Sequence, residues 1–320
     1  MGRVVGHAGG MRTSHRNGRH WVKLEPSRAL CGTTPSEFGE MMVVLAPLVD
    51  EQRRRREERS GRLRAPGGGR KPKPFSFRLL CALTHLRTGN SLRATAAVFG
   101  VDEKSVRNWR DELDQLLDEH GIVPPGGGTP IRSATDLGVW LTQQAEADVL
   151  EYTVIDATEV ACCRPSGGFE AQRPAWSGKS HDHVVKGTTL VDPAGRVVWF
   201  EANPTGEGRT HDITMLRSQT GLLDALRAAK IPVLADSGYQ GLATDLAGTN
   251  DVWTPYKRSK RNRLSRDEHV FNHSLAVARI RVEHGIGAMK RWGAMRRHQR
   301  HPDTFGVTGR SIATIASIIA

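Results

Sequence analysis

Three acidic residues in the second half of the chain stand where a metal-binding site could form. Asp156 ends the apolar run Thr153 to Ile155, and Asp236 ends a second apolar run from Ile231 to Ala235. Glu283 lies farther along the chain, in a segment with helical periodicity. A carboxylate at the end of a buried strand costs free energy unless it is solvated, paired or bound to a metal. These residues are therefore candidates for chemistry.

The chemistry that three such carboxylates favour is metal-dependent phosphoryl transfer. At one point they repel each other and destabilise the fold unless cations neutralise them. Oxygen ligands suit hard divalent ions such as Mg²⁺ or Mn²⁺, and two such ions about 4 Å apart can clamp the attacking and leaving oxygens of an in-line displacement. We expect Asp156 to bridge two ions, with Asp236 and Glu283 holding one each.

Each acid also has a purely structural interpretation. Asp156 could pair with an arginine at the end of its strand. Asp236 begins the sequence Asp-Ser-Gly-Tyr239, which would form a good turn by itself. Glu283 stands four residues after Arg279, a spacing at which helical side chains pair. Taken together, in this order and on these elements, the acids favour the catalytic interpretation.

A fourth acid, Asp212, competes with Asp236 for the second catalytic place. Asp212 follows His211 and opens a helix, where the helix dipole favours an acid in any case. Asp236 instead closes the strand that we expect to lie beside Asp156. We therefore choose Asp236 and assign His211 and Asp212 to the positioning of phosphate or metal, with helix capping as the alternative.

The elements around the acids predict one mixed sheet. Three strand-like runs are followed by a helix, a further strand and a long helix, so a crossover places the first and fourth strands side by side with their carboxylates adjacent. This is the topology of an RNase H-like domain, which we expect over residues 149–320. The predicted elements are the strand that ends on Asp156, strands from His183 to Val191 and from Arg196 to Glu201, a helix from about Asp212 to Ala229, the strand Ile231 to Ala235, and a helix from about Asn272 to Trp292.

The first half of the chain predicts helices and a DNA-binding motif. Thr34-Pro-Ser-Glu37 is a capping signature before an apolar helix that runs into the basic stretch at Arg53. Residues 75–122 contain three helical segments, which are separated by Thr88-Gly-Asn90 and Gly100-Val-Asp102. The second and third helices make a helix-turn-helix. An ordinary three-helix bundle with charged outer faces is the alternative. The residues expected to face the major groove are Lys104, Ser105, Arg107, Asn108 and Arg110.

Changes in composition predict the domain boundaries. Residues 1–33 are basic and glycine-rich and predict a disordered tail, in which Met11 is an alternative start. Residues 34–74 hold the N-terminal helix and a linker of glycine, proline and lysine. Residues 123–148 form a second linker, in which we expect a short helix from Thr135 to Gln144. We therefore expect an all-α helix-turn-helix DNA-binding domain at residues 75–122, followed by the α/β, RNase H-like catalytic domain with a mixed sheet.

The charge of the chain indicates the class of partner. The 320 residues carry a formal net charge of +12, mostly from arginine, which favours nucleic acid or another polyanion, although a solvated basic surface has the same composition. The cysteines lack the spacing of a zinc site, and the sequence has no Walker loop, no dinucleotide fingerprint and no membrane span. We expect a soluble, cytoplasmic, nucleoid-associated protein without a nucleotide cofactor or membrane partner.

A basic loop between Asp236 and Glu283 could lead a phosphate backbone to the acids. As a bare run of charge, it could also be only a solvated face. Lys290 lies two turns beyond Glu283 on the same side of the predicted helix and could touch DNA near the transferred strand. The basic residues of the loop are Lys257, Arg258, Lys260, Arg261 and Arg263.

Several short motifs give the chain a resemblance to a known family. These motifs are Val154-Ile-Asp-Ala-Thr158, Gly178-Lys179 with His183 and Lys186, Gly208-Arg-Thr-His-Asp212, Ala235-Asp-Ser-Gly-Tyr239, and Arg279 with Glu283 and Lys290. On these motifs, the chain from about residue 35 onward resembles the DDE transposases of bacterial insertion sequences, in the group related to the eukaryotic PIF/Harbinger elements. Related enzymes often carry a tyrosine three residues before Arg279, where this chain has Ala276.

The resemblance implies a DNA transposase that binds terminal inverted repeats. Water activated at a pair of Mg²⁺ (or Mn²⁺) ions would hydrolyse a phosphodiester, and the freed 3′-hydroxyl would then attack target DNA. The implied partners are double-stranded DNA, as transposon ends and as target, and a second copy of the chain in a homodimer or larger complex. Two alternatives stay open: a metal-dependent endonuclease that does not join strands, and a non-catalytic DNA-binding regulator on a transposase scaffold.

Overall fold

The computed structural model describes residues 11–13, 22–60, 72–246, 248, 250–258 and 263–319. The chain forms two compact units, Met1–Leu116 and Leu117–Ala320. In the first unit the short strands β1 and β2 pair antiparallel, and a series of helices follows. The elements of this unit are β1 Met11–Thr13, β2 Val22–Leu24, α1 Pro35–Ser60, α2 Phe75–Thr88, α3 Leu92–Phe99 and α4 Glu103–His120, the last of which continues into the second unit.

Helix α1 begins where its capping signature predicts. Thr34 N donates to Glu37 Oε2 at 2.7 Å, and Glu37 N donates to Thr34 Oγ1 at 3.3 Å, which satisfies two backbone donors of the first turn. Order begins before the predicted boundary at residue 33, because Cys31 and Thr33 are fully buried. Residues 1–10 and 14–21 of the predicted tail, and residues 61–71 of the predicted linker, lie outside the described residues.

Helices α2 to α4 form where the periodicity predicts them. Gly100 adopts φ 62°, a left-handed conformation that ends α3 without the strain a side chain would add. Asp102 then caps α4, since Ser105 N donates to its Oδ1 at 2.7 Å. The ring of Phe77 packs edge-on against Phe99 and Trp109, each with a centroid distance of 5.7 Å. The helices are thus as expected, and their role in DNA binding stays a prediction.

The surface predicted to face DNA needs one correction. Lys104, Arg107 and Asn108 are exposed on α4, as a groove-reading face requires. Arg110 is buried, and its Nη2 lies 2.8 Å from Asp111 Oδ1, so its guanidinium is not part of that exposed set. Ser105 is half-buried and its hydroxyl donates to Asp102 Oδ2 at 2.9 Å. The helical period places the side chain of Arg110 toward the interior.

The second unit is a mixed sheet covered by helices. Its central strand, β3, pairs antiparallel with β5 and parallel with β7, and the strand order is β6-β5-β3-β7-β8, with β4 also on β5 and β9 on β3. The elements are α5 Ala134–Glu146, β3 Thr153–Cys162, α6 Gly168–Gln172, β4 Trp176–Ser177, β5 Asp182–Val191, β6 Val197–Ala202, α7 Asp212–Ser218, α8 Thr220–Ala229, β7 Val233–Leu234, α9 Leu242–Asp245, β8 Val252–Trp253, α10 Arg266–Lys290, β9 Arg297–His298 and α11 Phe305–Ile318.

This topology confirms the predicted adjacency of the first and fourth strands of an RNase H-like sheet. The paired residues are Thr153 with Val233 and Val154 with Leu234. The prediction that the first strand ends on Asp156 is wrong, since β3 continues to Cys162. Strand β3 continues past Asp156 because its residues as far as Ala161 pair with β5. The polar residues after Asp156 are therefore part of the antiparallel pairing between these two strands.

Two further boundaries differ from the predictions, whereas the short helix expected within the linker at 123–148 is confirmed. This helix, α5, begins with a Ser133 capping box and buries Leu137 and Leu141 completely. The predicted helix from Asp212 to Ala229 is two helices, α7 and α8, with the buried Gln219 between them. The long helix α10 begins at Arg266 rather than near Asn272. In the described part of the chain, no helix is both long and apolar enough to span a membrane.

Candidate active site

Asp156 and Asp236 lie on neighbouring strands at the same level of the sheet. The parallel register of β3 with β7, continued by two residues, places Asp156 beside Asp236. The chain leaves β7 through Ala235, whose N donates to Trp253 O at 3.0 Å. Asp236 then caps a short turn, since its Oδ1 accepts a hydrogen bond of 2.7 Å from Gly238 N. The two carboxylates predicted to be catalytic are therefore brought together by the sheet itself.

Asp212 lies close to this pair because Gly238, which separates Asp212 from Asp236, has no side chain. A Cβ at Gly238 would lie 2.5 Å from Asp212 Oδ2 and 2.9 Å from Asp236 Oδ1, closer than carbon and oxygen can approach. Both carboxylates thus pack against one α-carbon. His211 precedes Asp212 at the N-cap position of α7, and its exposed side chain caps nothing. Asp156, Asp212 and Asp236 therefore form one acid cluster. The accessory role assigned to Asp212 from sequence did not predict that it packs beside Asp236 against Gly238.

The environment of the cluster raises the pKa values of Asp156 and Tyr239. Burial raises the pKa of Asp156 to about 6, Arg279 opposes the shift, and the negative charges of Asp236 and Asp212 add to it. Tyr239 is fully buried. Its pKa is raised first by burial and then by the charges of Asp212, Asp156 and Asp236, so the phenol stays neutral. The neutral ring lies near all three carboxylates and keeps water from that side of them.

Two basic side chains partly neutralise the acid cluster. Arg279, on α10, places Nη2 3.3 Å from Asp156 Oδ2. Lys186, on β5, places Nζ 2.6 Å from Asp212 Oδ1, and the same atom donates to Thr210 O at 3.0 Å. Lys186 is buried, so its charge would be costly without these partners. Asp156 and Asp212 are therefore each held by a cation of the protein.

Lys186 is a site residue that entered the sequence analysis only as part of a family motif, without a predicted role. It lies opposite Glu159 in the β3–β5 ladder, with Nζ 3.9 Å from Glu159 Oε1. Glu159 in turn accepts a hydrogen bond of 2.8 Å from the buried hydroxyl of Ser177. A lysine inside the strand His183 to Val191, which holds no other Lys, Arg, Asp or Glu, was the available signal, because such a residue must find a buried anion.

Glu283 lies on the α10 face that borders the cluster, without touching the acids. Arg279, Glu283 and Lys290 share one face by helical spacing. Arg279 contacts Asp156, and Lys290 is close enough to Asp156 and Glu159 for both carboxylates to counter the fall that burial causes in its pKa. Glu283 stands between these two residues on α10, exposed, and makes no hydrogen bond or ion pair within the described part of the chain.

The donor chemistry of Asp156 and Asp236 fits a hard divalent cation. Like charges that raise the pKa of a carboxyl group are relieved when a cation is shared between them. Within the described residues, however, no group of three His, Cys, Asp or Glu side chains is arranged to hold a metal ion. The third ligand is thus not in place in this conformation. The assignment of Asp156, Asp236 and Glu283 as metal ligands stays a prediction.

The basic loop predicted to guide DNA is partly described. Lys257, Arg258 and Arg263 are exposed, whereas Lys260 and Arg261 lie outside the described residues. Tyr256 anchors the near side of the loop to α10, because its N donates to Asn272 Oδ1 at 2.8 Å and its carbonyl accepts from Asn272 Nδ2 at 3.0 Å. The contact of these residues with DNA stays a prediction.

Comparison with known proteins assigns the second unit to a family. Residues 155–319, which include Asp156, Asp212, Asp236 and Glu283, match the DDE superfamily endonuclease family. The chain belongs to this family. Membership confirms the resemblance to DDE enzymes of insertion sequences, while the PIF/Harbinger grouping stays a prediction.

A curated relative of the chain is also a transposase by its name. The chain is 28% identical over 167 residues to the "Probable transposase for insertion sequence element IS702" of Microchaete diplosiphon, and the match covers 51% of this chain and 55% of that protein. The match thus spans about half the length of the curated relative.

Two solved structures of Mos1 complexes give only a distant likeness. The Mos1 transposase paired-end complex with left transposon end is 16% identical, with a TM-score of 0.20 and coverage of 63% of this chain and 65% of that one. The Mos1 mariner paired end complex with Mn is 13% identical, with a TM-score of 0.22 and coverage of 72% and 84%. These TM-scores are too low to bear on the fold or on DNA binding.

Proposed function

We propose that this DDE-family endonuclease is a DNA transposase that cuts the ends of a transposon and joins them to target DNA. The observation that carries the proposal is the juxtaposition of Asp156 and Asp236 at one level of neighbouring strands, in a chain of this family. A non-catalytic DNA-binding descendant would have no need of two coupled carboxylates with the raised pKa of Asp156.

Asp156 and Asp236 would hold the divalent ions, and Glu283 would complete the set by turning its exposed side chain toward them. When bound, the ions supply activation of water and stabilisation of the leaving oxygen. Arg279 fixes the orientation of Asp156, and Lys186 fixes that of Asp212. Tyr239 stays neutral beneath the carboxylates and excludes water there. These contacts hold the acids before substrate arrives.

The two reactions at this site would balance as successive phosphoryl transfers. In the first, a water oxygen bonds to a backbone phosphorus, the bond from phosphorus to the 3′-oxygen breaks, and a 3′-hydroxyl is released. In the second, that 3′-hydroxyl attacks a phosphorus of target DNA and displaces the next 3′-oxygen. Both steps need the same in-line geometry, so one pair of carboxylates serves both.

Basic residues around the site would bring DNA to it. Lys257, Arg258 and Arg263 are exposed ahead of α10, and Lys290 stands at its end. In the first unit, Lys104, Arg107 and Asn108 would read the terminal inverted repeats. Pairing of two ends would require at least a homodimer in the active complex. The energy of such contacts comes largely from phosphates, so binding should weaken steeply with salt.

One experiment separates the candidate functions. The wild-type protein and the Asp236→Asn variant are incubated with a transposon-end duplex and a target plasmid, in Mg²⁺ or Mn²⁺. The Asp251→Asn variant is the matched control, because Asp251 is exposed and precedes β8 instead of following β7. We expect cutting and joining by the wild-type and control proteins and neither by Asp236→Asn. Cutting without joining would indicate a nuclease, and binding without cutting by all three proteins would refute an enzymatic function.

A further inference from the structure

A cleft lies beside the acid cluster, along the segment between β3 and β5 that contains α6 and β4. The cleft has a volume of about 540 Å³, within the range of sites that hold small ligands. Its walls carry the side chains of Phe169, Arg173, Trp176 and Arg209. None of these residues belongs to the acids or to the basic loop, so the chemistry of the cleft differs from that of the catalytic site.

The walls combine exposed aromatic rings with exposed positive charge. Phe169 is 72% exposed and Trp176 is 44% exposed, which is unusual for side chains of this size. Arg173 and Arg209 are also exposed, and neither forms an ion pair within the described part of the chain. Flat rings that offer stacking faces, next to free guanidinium groups, are suited to a ligand that is both aromatic and anionic.

The cleft is built on fixed backbone rather than on a loose loop. Arg209 N donates to Pro174 O at 3.2 Å, which ties the two walls together. Gly208 packs so tightly that a Cβ there would lie 2.4 Å from Val184 O. Trp176 is held edge-on against His183, with a ring-centroid distance of 5.3 Å. The aromatic and basic groups are therefore positioned before any ligand binds, which lowers the entropic cost of binding.

The cleft is continuous with the acid cluster. An adjoining hollow of about 220 Å³ shares Gly178 and Arg209 with the cleft, and Lys186 and Asp212 also line this hollow. A nucleotide strand with a phosphate at the acids could therefore place a neighbouring base in the cleft. A base within a duplex cannot enter, because both of its faces are covered by the stack.

We propose that this cleft binds an unpaired nucleobase next to the phosphate that reacts. Trp176 and Phe169 stack on the base, and Arg173 and Arg209 contact the phosphates that flank it. This assignment rests on the proposed function in one respect, the choice of DNA as the ligand. It adds a requirement, which is that the DNA unstacks beside the scissile bond.

The test compares two short duplexes of identical sequence in EDTA, so that no cleavage occurs. One carries 2-aminopurine opposite thymine, and the other carries it unpaired, opposite an abasic site. We expect the wild-type protein to bind the unpaired duplex about tenfold more tightly and to quench its fluorescence, since base stacking on an aromatic side chain contributes about one factor of ten. In Trp176→Ala both the preference and the quenching should disappear, while Trp176→Phe should retain most of each.

Trp253→Ala is the matched control, because Trp253 is 43% exposed and lies in β8, outside the cleft. Equal binding of the two duplexes by the wild-type protein, or absence of binding, would overturn the inference, and so would a preference that survives in Trp176→Ala. A cleft made for a partner protein would give the first of these results. A protein that prefers the unpaired base but does not cut in Mg²⁺ would keep this inference and refute the transposase proposal.

Discussion

Replacing Gly238 by alanine should misplace two of the three clustered carboxylates without breaking the fold. The new Cβ would lie 2.5 Å from Asp212 Oδ2, so that oxygen must retreat by about 0.9 Å to reach an ordinary contact of 3.4 Å. Asp236 Oδ1, at 2.9 Å, must retreat by about 0.5 Å. Gly238 has an ordinary backbone conformation that alanine can adopt, so no strain is added there.

A misplacement of about 1 Å at an active site costs roughly 100-fold in rate, or about 2.7 kcal/mol in the barrier. Here the shift of about 0.9 Å in Asp212 accompanies one of about 0.5 Å in Asp236. We therefore expect single-turnover cleavage of a transposon-end duplex in Mg²⁺ to slow about 100-fold in Gly238→Ala. Circular dichroism and the unfolding temperature should show a folded protein. Gly39→Ala is the control, since Gly39 lies exposed in α1 with open space where its Cβ would be. Cleavage by Gly238→Ala within about threefold of the wild-type rate would refute the role given to this packing.

Three further predictions concern the charges. The folded-state pKa of Asp156 is about 6, against an ordinary 3.8, so the folded protein holds this proton more tightly than the unfolded chain does. The wild-type protein should therefore lose on the order of 2 to 3 kcal/mol of unfolding free energy as pH rises from about 4 to about 6, measured by urea denaturation in EDTA. The Asp156→Asn variant should not show this loss in the same assay. Lys186→Met should lower the unfolding free energy by about 3 kcal/mol, because Asp212 keeps a part-buried charge, and adding Asp212→Asn should restore part of the loss in the same assay. Arg107→Ala should weaken binding to the transposon end about tenfold by fluorescence anisotropy with an unchanged unfolding temperature, whereas an unchanged affinity would contradict the assigned DNA-binding face.

The sequence was sufficient to predict the order of the elements and the pair of aspartates. Two continuous apolar runs that end on acids, and a helical crossover between the third and fourth strands, predicted that Asp156 and Asp236 are neighbours. The end of β3 could not be predicted, because Asp156 and Glu159 look like loop residues until their pairing with β5 is known. The sequence around a residue indicates whether that residue is polar or apolar, whereas the length of a β-strand also depends on the hydrogen bonds that its partner strand offers.

The finer arrangement of the site depends on contacts between residues far apart in the chain. Asp212 and Asp236 both pack against Gly238, which is possible only because that residue has no side chain, and Lys186 holds the other oxygen of Asp212. Helical spacing correctly placed Glu283 between Arg279 and Lys290, but it does not determine the rotamer of an exposed side chain. Arg110 was misjudged for a related reason: the amino-acid type indicated a DNA contact, while its position on α4 faces the interior.

The central claim, that Asp156 and Asp236 form the phosphoryl-transfer site, is tested most directly by the Asp156→Asn variant. Cleavage of the transposon-end duplex in Mg²⁺ and affinity for the same duplex in EDTA are measured side by side on folded protein. The claim predicts that cleavage is abolished while end-specific affinity stays within about twofold of wild type. Cleavage at the wild-type rate, or loss of end binding in the folded variant, would contradict it.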